Sequence, residues 1–184
     1  MYKKFNDYYP FLDVVLDVLY SIILYDAFTA FPGFNLAGVL FVFAVFIMVN
    51  YWWSSRNFEE FHKHYLIDFY VVTIVMFIVM QWPKYYNDIN SFVMVLAAFF
   101  FTLTIGSIIS LFTHEEKDES KALKTYIMTD GALSIYYTLM IFLIKDASIP
   151  SLILIIAPYL IKYLYTIRKG IFRTKFTGAD KQPY

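Results

Sequence analysis

Six ionisable residues stand inside stretches of this chain that are otherwise apolar: Asp13, Asp17, Asp26, Asp68, Asp130 and Lys162. A charged side chain costs free energy wherever water is scarce, so such residues mark the positions where an ion or a proton would be handled. Two of the carboxylates head polar stripes. Residues four apart share a helix face, which places Asp13, Asp17, Ser21 and Tyr25 on one line and Asp130, Ser134 and Thr138 on another. Both stripes contain Asp-x-x-x-Ser-Ile, at Asp17–Ile22 and Asp130–Ile135. A carboxylate followed by small hydroxyls suits a hydrated ion path. The same Ser and Thr pattern also serves close helix packing, where hydroxyls bond across or along helices. For Asp13, Asp68 and Asp130, each near a helix start, the helix dipole is a further reason for a carboxylate.

The elements that must position these groups are membrane-length helices. Of the 184 residues, 60% are hydrophobic, more than a soluble domain carries, which points to lipid as the solvent. A spanning helix needs about 20 apolar residues, and six stretches qualify: 10–30, 34–53, 65–82, 92–112, 125–144 and 149–167. The second and fourth hold no charge. Pro10 and Pro150 fall where a first helical turn needs no N–H donor, and Phe31-Pro32-Gly33 makes a hairpin turn. Pro158 lies inside the last stretch and frees a backbone carbonyl one turn earlier, which a neighbouring helix must satisfy. Thr102, Thr104, Gly106, Ser107 and Ser110 read as a close-packing surface. The charged segment 113–124 has helix-like charge mixing and extends the fourth or fifth helix.

Basic residues set the expected orientation, because cytoplasmic loops are enriched in them. With the N-terminus inside, twelve Lys and Arg fall in inner segments: Lys3, Lys4, Arg56, Lys63, Lys117, Lys121, Lys124, Arg168, Lys169, Arg173, Lys175 and Lys181. Only Lys84 and Lys145 fall outside. The expectation is an all-α polytopic transmembrane bundle of six spans. Both termini are cytoplasmic, 1–184 forms a single integral membrane domain, and 168–184 is a cytoplasmic tail. The setting is multi-pass in the cell membrane. Lys3 and Lys4 do not open a cleaved signal peptide, since Asp13 and Asp17 interrupt what would follow. At a rise of about 1.5 Å per residue, Asp13, Asp17, Asn50, Asp68, Asp130 and Lys162 share the cytoplasmic third of the membrane, and Asp26 lies near the outer end.

Other chemistry finds little support. There is no cysteine, so disulfides and thiolate ligands are excluded. Equal numbers of basic and acidic residues, 15 each, offer nucleic acid no attraction. No phosphate loop, cofactor motif or metal site is expected; His62 and His64 beside Glu59 form a solvated loop. Ser134 near Asp130 is the one nucleophile–base geometry, and the chain is read as not an enzyme.

The first helix, Leu16-Asp17-Val18-Leu19-Tyr20-Ser21-Ile22-Ile23, and the second-span end, Asn50-Tyr51-Trp52-Trp53, resemble an ion-channel family. This is the endosomal and lysosomal potassium channel family, with its prokaryotic six-helix relatives, which carries a Phe-Ser-Asp signature at the start of its first helix. The segment Lys124–Ile135 is also similar to that signature. Val15-Leu16 stand before Asp17, and Met128-Thr129 before Asp130, where the family has Phe-Ser. The family's upstream Arg is missing from the first helix, and Lys124 is its nearest counterpart. The resemblance covers about the first two-fifths of the chain and the overall architecture. It implies Asp17 as the motif acid, Ser21 as a pore-lining hydroxyl, Ile22 as a hydrophobic constriction, and a potassium-conducting homo-oligomer. Together these readings give an expectation of an ion channel or ion-coupled transporter for potassium or another monovalent cation. The alternative is a non-catalytic accessory subunit beside unlike membrane subunits.

Overall fold

The structure, a computed structural model, describes residues 10–29, 31–56, 88–113 and 117–168. Five α-helices occupy them: α1 (Pro10–Thr29), α2 (Leu36–Arg56), α3 (Ile89–Thr113), α4 (Lys117–Leu143) and α5 (Ile149–Arg168). Each falls on an expected span, α2 beginning two residues later than expected and α1 and α4 ending one residue earlier. The expected span at 65–82, with Asp68, lies outside the described residues, as do the three histidines. Three helical stretches among the described residues are long and apolar enough to cross a membrane: Ile89–Ile109, Leu123–Leu143 and Ile149–Arg168. In α2 the apolar stretch runs Leu36–Tyr51. α1 is 20 residues long but carries Asp13, Asp17 and Asp26. The charged segment after α3 becomes helical at Lys117 and adds two turns to the start of α4.

Local chemistry sets the helix starts. Gly33 has φ +88°, a left-handed turn that its missing Cβ permits. Asn35 then caps α2: its Oδ1 accepts from the Gly38 amide at 2.9 Å, and its Nδ2 donates to the Pro32 carbonyl at 3.1 Å. A Cβ at Gly38 would overlap the Gly33 carbonyl, so only glycine lets this hairpin close tightly. Ser148 caps α5 by accepting from the Ser151 amide at 3.4 Å. Asp88 caps α3 by accepting from the Asn90 amide at 3.2 Å and the Ser91 amide at 3.4 Å.

The Ser91 hydroxyl and these amides hold the Asp88 carboxyl below the usual carboxylate range. A depressed folded pKa means stability that is present above the unfolded value, about 3.9, and is lost as pH falls through the folded value. The α3 N-terminus should therefore fray in acid. Hydrogen exchange corrected for intrinsic rates should show protection of the Asn90 and Ser91 amides falling below about pH 4. In Asp88→Asn, whose cap does not titrate, protection should be flat with pH. A pH dependence that survives in Asp88→Asn would assign the effect to another group.

The helices pack around an aromatic core. α3 and α4 form the most extensive pair. Gly131 lies against the Thr104 methyl, 3.6 Å from where a Cβ would stand. The buried Ser134 hydroxyl donates to the Ala97 carbonyl at 3.2 Å. Small residues thus let the two backbones approach and share a hydrogen bond. Phe43, Phe92, Phe99, Phe100, Tyr137 and Tyr159 are all buried and fill the centre. Phe100 and Tyr137 stack with centroids 5.6 Å apart and planes 18° from parallel. Large apolar side chains, among them Met128, Ile135, Phe142, Ile161 and Leu164, point away from this core. A surface of that kind matches lipid.

Pro158 sits inside α5 and supplies no amide hydrogen to the Leu154 carbonyl. The Tyr136 hydroxyl of α4 donates to that carbonyl at 2.9 Å. The neighbouring Tyr137 hydroxyl donates to the Ile155 carbonyl at 2.7 Å. Two consecutive tyrosines therefore clamp α5 just before its proline.

Candidate functional site

Where the core meets the second half of α5, the bundle holds a cavity of about 100 Å³. Its lining draws on four helices: Asn50 and Tyr51 from α2, Phe99, Phe100 and Ser107 from α3, Tyr126 and Asp130 from α4, and Tyr159, Lys162, Tyr163 and Thr166 from α5. Helix register explains the convergence. α4 and α5 are joined at one end of the bundle. Asp130 lies thirteen residues before Leu143, and Lys162 lies thirteen after Ile149. At 1.5 Å per residue both stand about 20 Å from the shared end. Asn50, fourteen residues after Leu36, reaches the same level in α2.

Asp130 and Lys162 form an ion pair, the ammonium nitrogen donating to Oδ1. Their side chains are only 4% and 14% exposed. Lys162 Nζ also lies 5.1 Å from the centre of the Phe100 ring, a cation–π contact. Asn50 Nδ2 donates to the Tyr159 hydroxyl at 2.8 Å, tying α2 to α5 beside the pair. Among the described residues, no hydrogen bond reaches the second carboxylate oxygen of Asp130. The site therefore brings one acidic side chain, one basic side chain and several neutral oxygens together inside an apolar bundle. An isolated charge at this place would be costly, and the partner offsets much of that cost.

The residues singled out from the sequence divide into two groups. Asp130, Asn50 and Lys162 meet in the cavity. Ser134 and Thr138 follow Asp130 along α4, but their hydroxyls are used in packing: Ser134 bonds the Ala97 carbonyl, and Thr138 bonds the Ser134 carbonyl at 2.8 Å. Asp17, Ser21 and Ile22 line a shallow depression on one face of α1, together with Val14, Val18 and Tyr25. None of them lines the cavity at Asp130. The Ser21 hydroxyl bonds the Asp17 carbonyl of its own helix at 2.8 Å. The Asp13 side chain and Asp68 lie outside the described residues.

Sequence reasoning missed the aromatic wall of Phe100, Tyr51, Tyr126 and Tyr159, and it assigned Ser107 to packing alone. The available signal was spacing: Tyr159 is three residues before Lys162, and Tyr126 four before Asp130, each on the face of its charged neighbour. Among the described residues no group of three or more His, Asp or Glu is placed to hold a metal ion. Comparison of the chain with protein-family models, with curated proteins and with solved structures finds no match.

Proposed function

We propose that this chain is a six-span integral membrane protein, with both ends in the cytoplasm, that moves a monovalent cation across the cell membrane. Asp130 is the group that meets the ion. The observation that carries this reading is the Asp130–Lys162 pair, buried beside a cavity in a bundle whose outer surface is apolar. Charges retained in such a place are expensive, and substrate or ion pathways are among the roles such residues mark. The twelve-to-two distribution of basic residues supports the orientation. The similarity to the potassium channel family makes potassium the first ion to test.

The test is flux from purified protein in liposomes, with potassium, sodium and proton gradients applied separately. Asp130→Asn keeps the shape of the side chain and removes its charge. It should lower flux of the transported ion about tenfold or more while the protein still inserts. Equal flux in a folded, inserted Asp130→Asn protein would remove Asp130 from the pathway. Asp17→Asn, run alongside, separates the α1 face from the cavity.

A second reading is an accessory subunit of a larger membrane complex. It is favoured by the α1 face, which presents Ser21 and Tyr25 outward beside Asp17. Polar groups there suit contact with another protein. Mild-detergent purification discriminates: an accessory subunit brings unlike partners, whereas a channel built of this chain elutes as a symmetric homo-oligomer.

A further inference from the structure

We infer that the half of α5 after Pro158 is a hinged lid on the cavity. It swings between the closed position of the structure and one in which the α2 wall of the cavity meets water. The inference stands on the geometry of α5 and does not depend on what crosses the membrane.

Pro158 divides α5 into two halves with different supports. The half before it is fixed. Leu152 and Ile155 are buried in the core. Tyr136 and Tyr137 of α4 donate to the Leu154 and Ile155 carbonyls just before the proline. These two bonds hold the first half against α4 and satisfy the carbonyl that Pro158 leaves without an amide partner. Bending at the proline therefore breaks no backbone hydrogen bond between residues 154 and 158.

The half after the proline lies over the cavity and bridges two helices. Tyr159 accepts from Asn50 of α2 at 2.8 Å, and Lys162 donates to Asp130 of α4. The Tyr163 ring meets Phe46 of α2 edge-on, with centroids 5.5 Å apart. The α5 residues that line the cavity, Tyr159, Lys162, Tyr163 and Thr166, all belong to this half. Polar contacts of this kind exchange for hydrogen bonds to entering water at small net cost. Buried apolar contacts have no such replacement. A polar latch therefore opens and closes reversibly where an apolar one would stay shut.

The lever is long enough. Arg168 is ten residues beyond Pro158, a length of about 15 Å. A bend of about 20° moves that end by about 5 Å, and moves Lys162, four residues along, by about 2 Å. The smaller shift already parts Lys162 from Asp130 and admits water. Ile47 of α2 lines the cavity and is 1% exposed, so it is a wall residue that opening uncovers.

The experiment is thiol accessibility. The chain has no cysteine, so a single introduced thiol reports on its own place. Ile47→Cys, as the purified full chain in mild detergent, is treated with a small cationic methanethiosulfonate reagent, and the modification rate is measured. Ala97→Cys is the control for global unfolding: Ala97 is buried in the α3–α4 contact and does not line the cavity. Ile47→Cys should react and Ala97→Cys should not. Pro158→Ala restores the amide, so bending then costs a hydrogen bond, and the Ile47→Cys rate should fall about fivefold. Asp130→Leu together with Lys162→Met replaces the latch by an apolar contact and should lower the rate about fivefold or more. Tyr159→Phe removes the bond from Asn50 and should raise it about fivefold. An Ile47→Cys thiol that never reacts would overturn the hinge. So would one that keeps its rate in both Pro158→Ala and the double variant, or Ala97→Cys reacting as fast as Ile47→Cys. These rates are read without a transported ion, so they test the lid separately from cation transport.

Discussion

Replacing Asp130 by leucine should destabilise the folded chain by about 3–5 kcal/mol, and adding Lys162→Met to the same protein should recover most of the loss. The side chains of the pair are 4% and 14% exposed, with apolar and aromatic groups around them. Removing only the carboxylate leaves an ammonium in the bundle with a cation–π contact and no counter-charge. Such a charge loses its hydration without receiving an ion pair in return. Removing both charges leaves two apolar side chains of suitable volume, and exchanges of that kind are close to neutral or stabilising. The check is unfolding in detergent micelles, followed by circular dichroism, for both single variants and the double. A double variant no more stable than Asp130→Leu alone would show that the two residues do not act as a unit. The double variant should nevertheless be inactive in the flux assay, which separates the cost of keeping the charges from their use.

Tyr137→Ala should cost a similar amount, about 3–5 kcal/mol, for a different reason. Tyr137 is fully buried, stacks on Phe100 of α3, and bonds the Ile155 carbonyl of α5. One side chain on α4 thus joins three helices. Truncation removes the ring and leaves a cavity that rigid helices close only in part. Tyr137→Phe isolates the hydroxyl and should cost about 1 kcal/mol. The same unfolding assay distinguishes the two. If Tyr137→Phe were as damaging as Tyr137→Ala, the hydrogen bond to α5 would be the main contribution and ring packing the lesser one. Because Phe100 lies between Tyr137 and Lys162, Tyr137→Ala should also disturb the ion pair, although Tyr137 does not line the cavity.

The helices were readable from the linear chain because lipid imposes a length and a composition on anything that crosses it. Each expected span within the described residues is a helix, and Pro10, Gly33 and Pro150 sit at or just before helix starts. The need for a partner near Pro158 also follows from covalent structure alone, since proline has no N–H. That Tyr136 supplies the partner does not follow, because many side chains lie within reach of a helix one turn away.

The common depth of Asn50, Asp130 and Lys162 is likewise a property of the sequence: it comes from counting residues along helices of fixed rise. What depth leaves open is rotation and neighbourhood. Asp13, Asp17 and Asp130 are all acids near the same level, and Asp17 and Asp130 head the same four-residue pattern. Tertiary packing separates them. The close α3–α4 contact through Thr104, Gly131 and Ser134 turns Asp130 inward to meet Lys162. Asp17 instead lies with Ser21 on an α1 face that does not line the cavity. Identical local motifs therefore have different surroundings, because periodicity places a residue on a face, and only the packing of small residues between helices decides what that face meets.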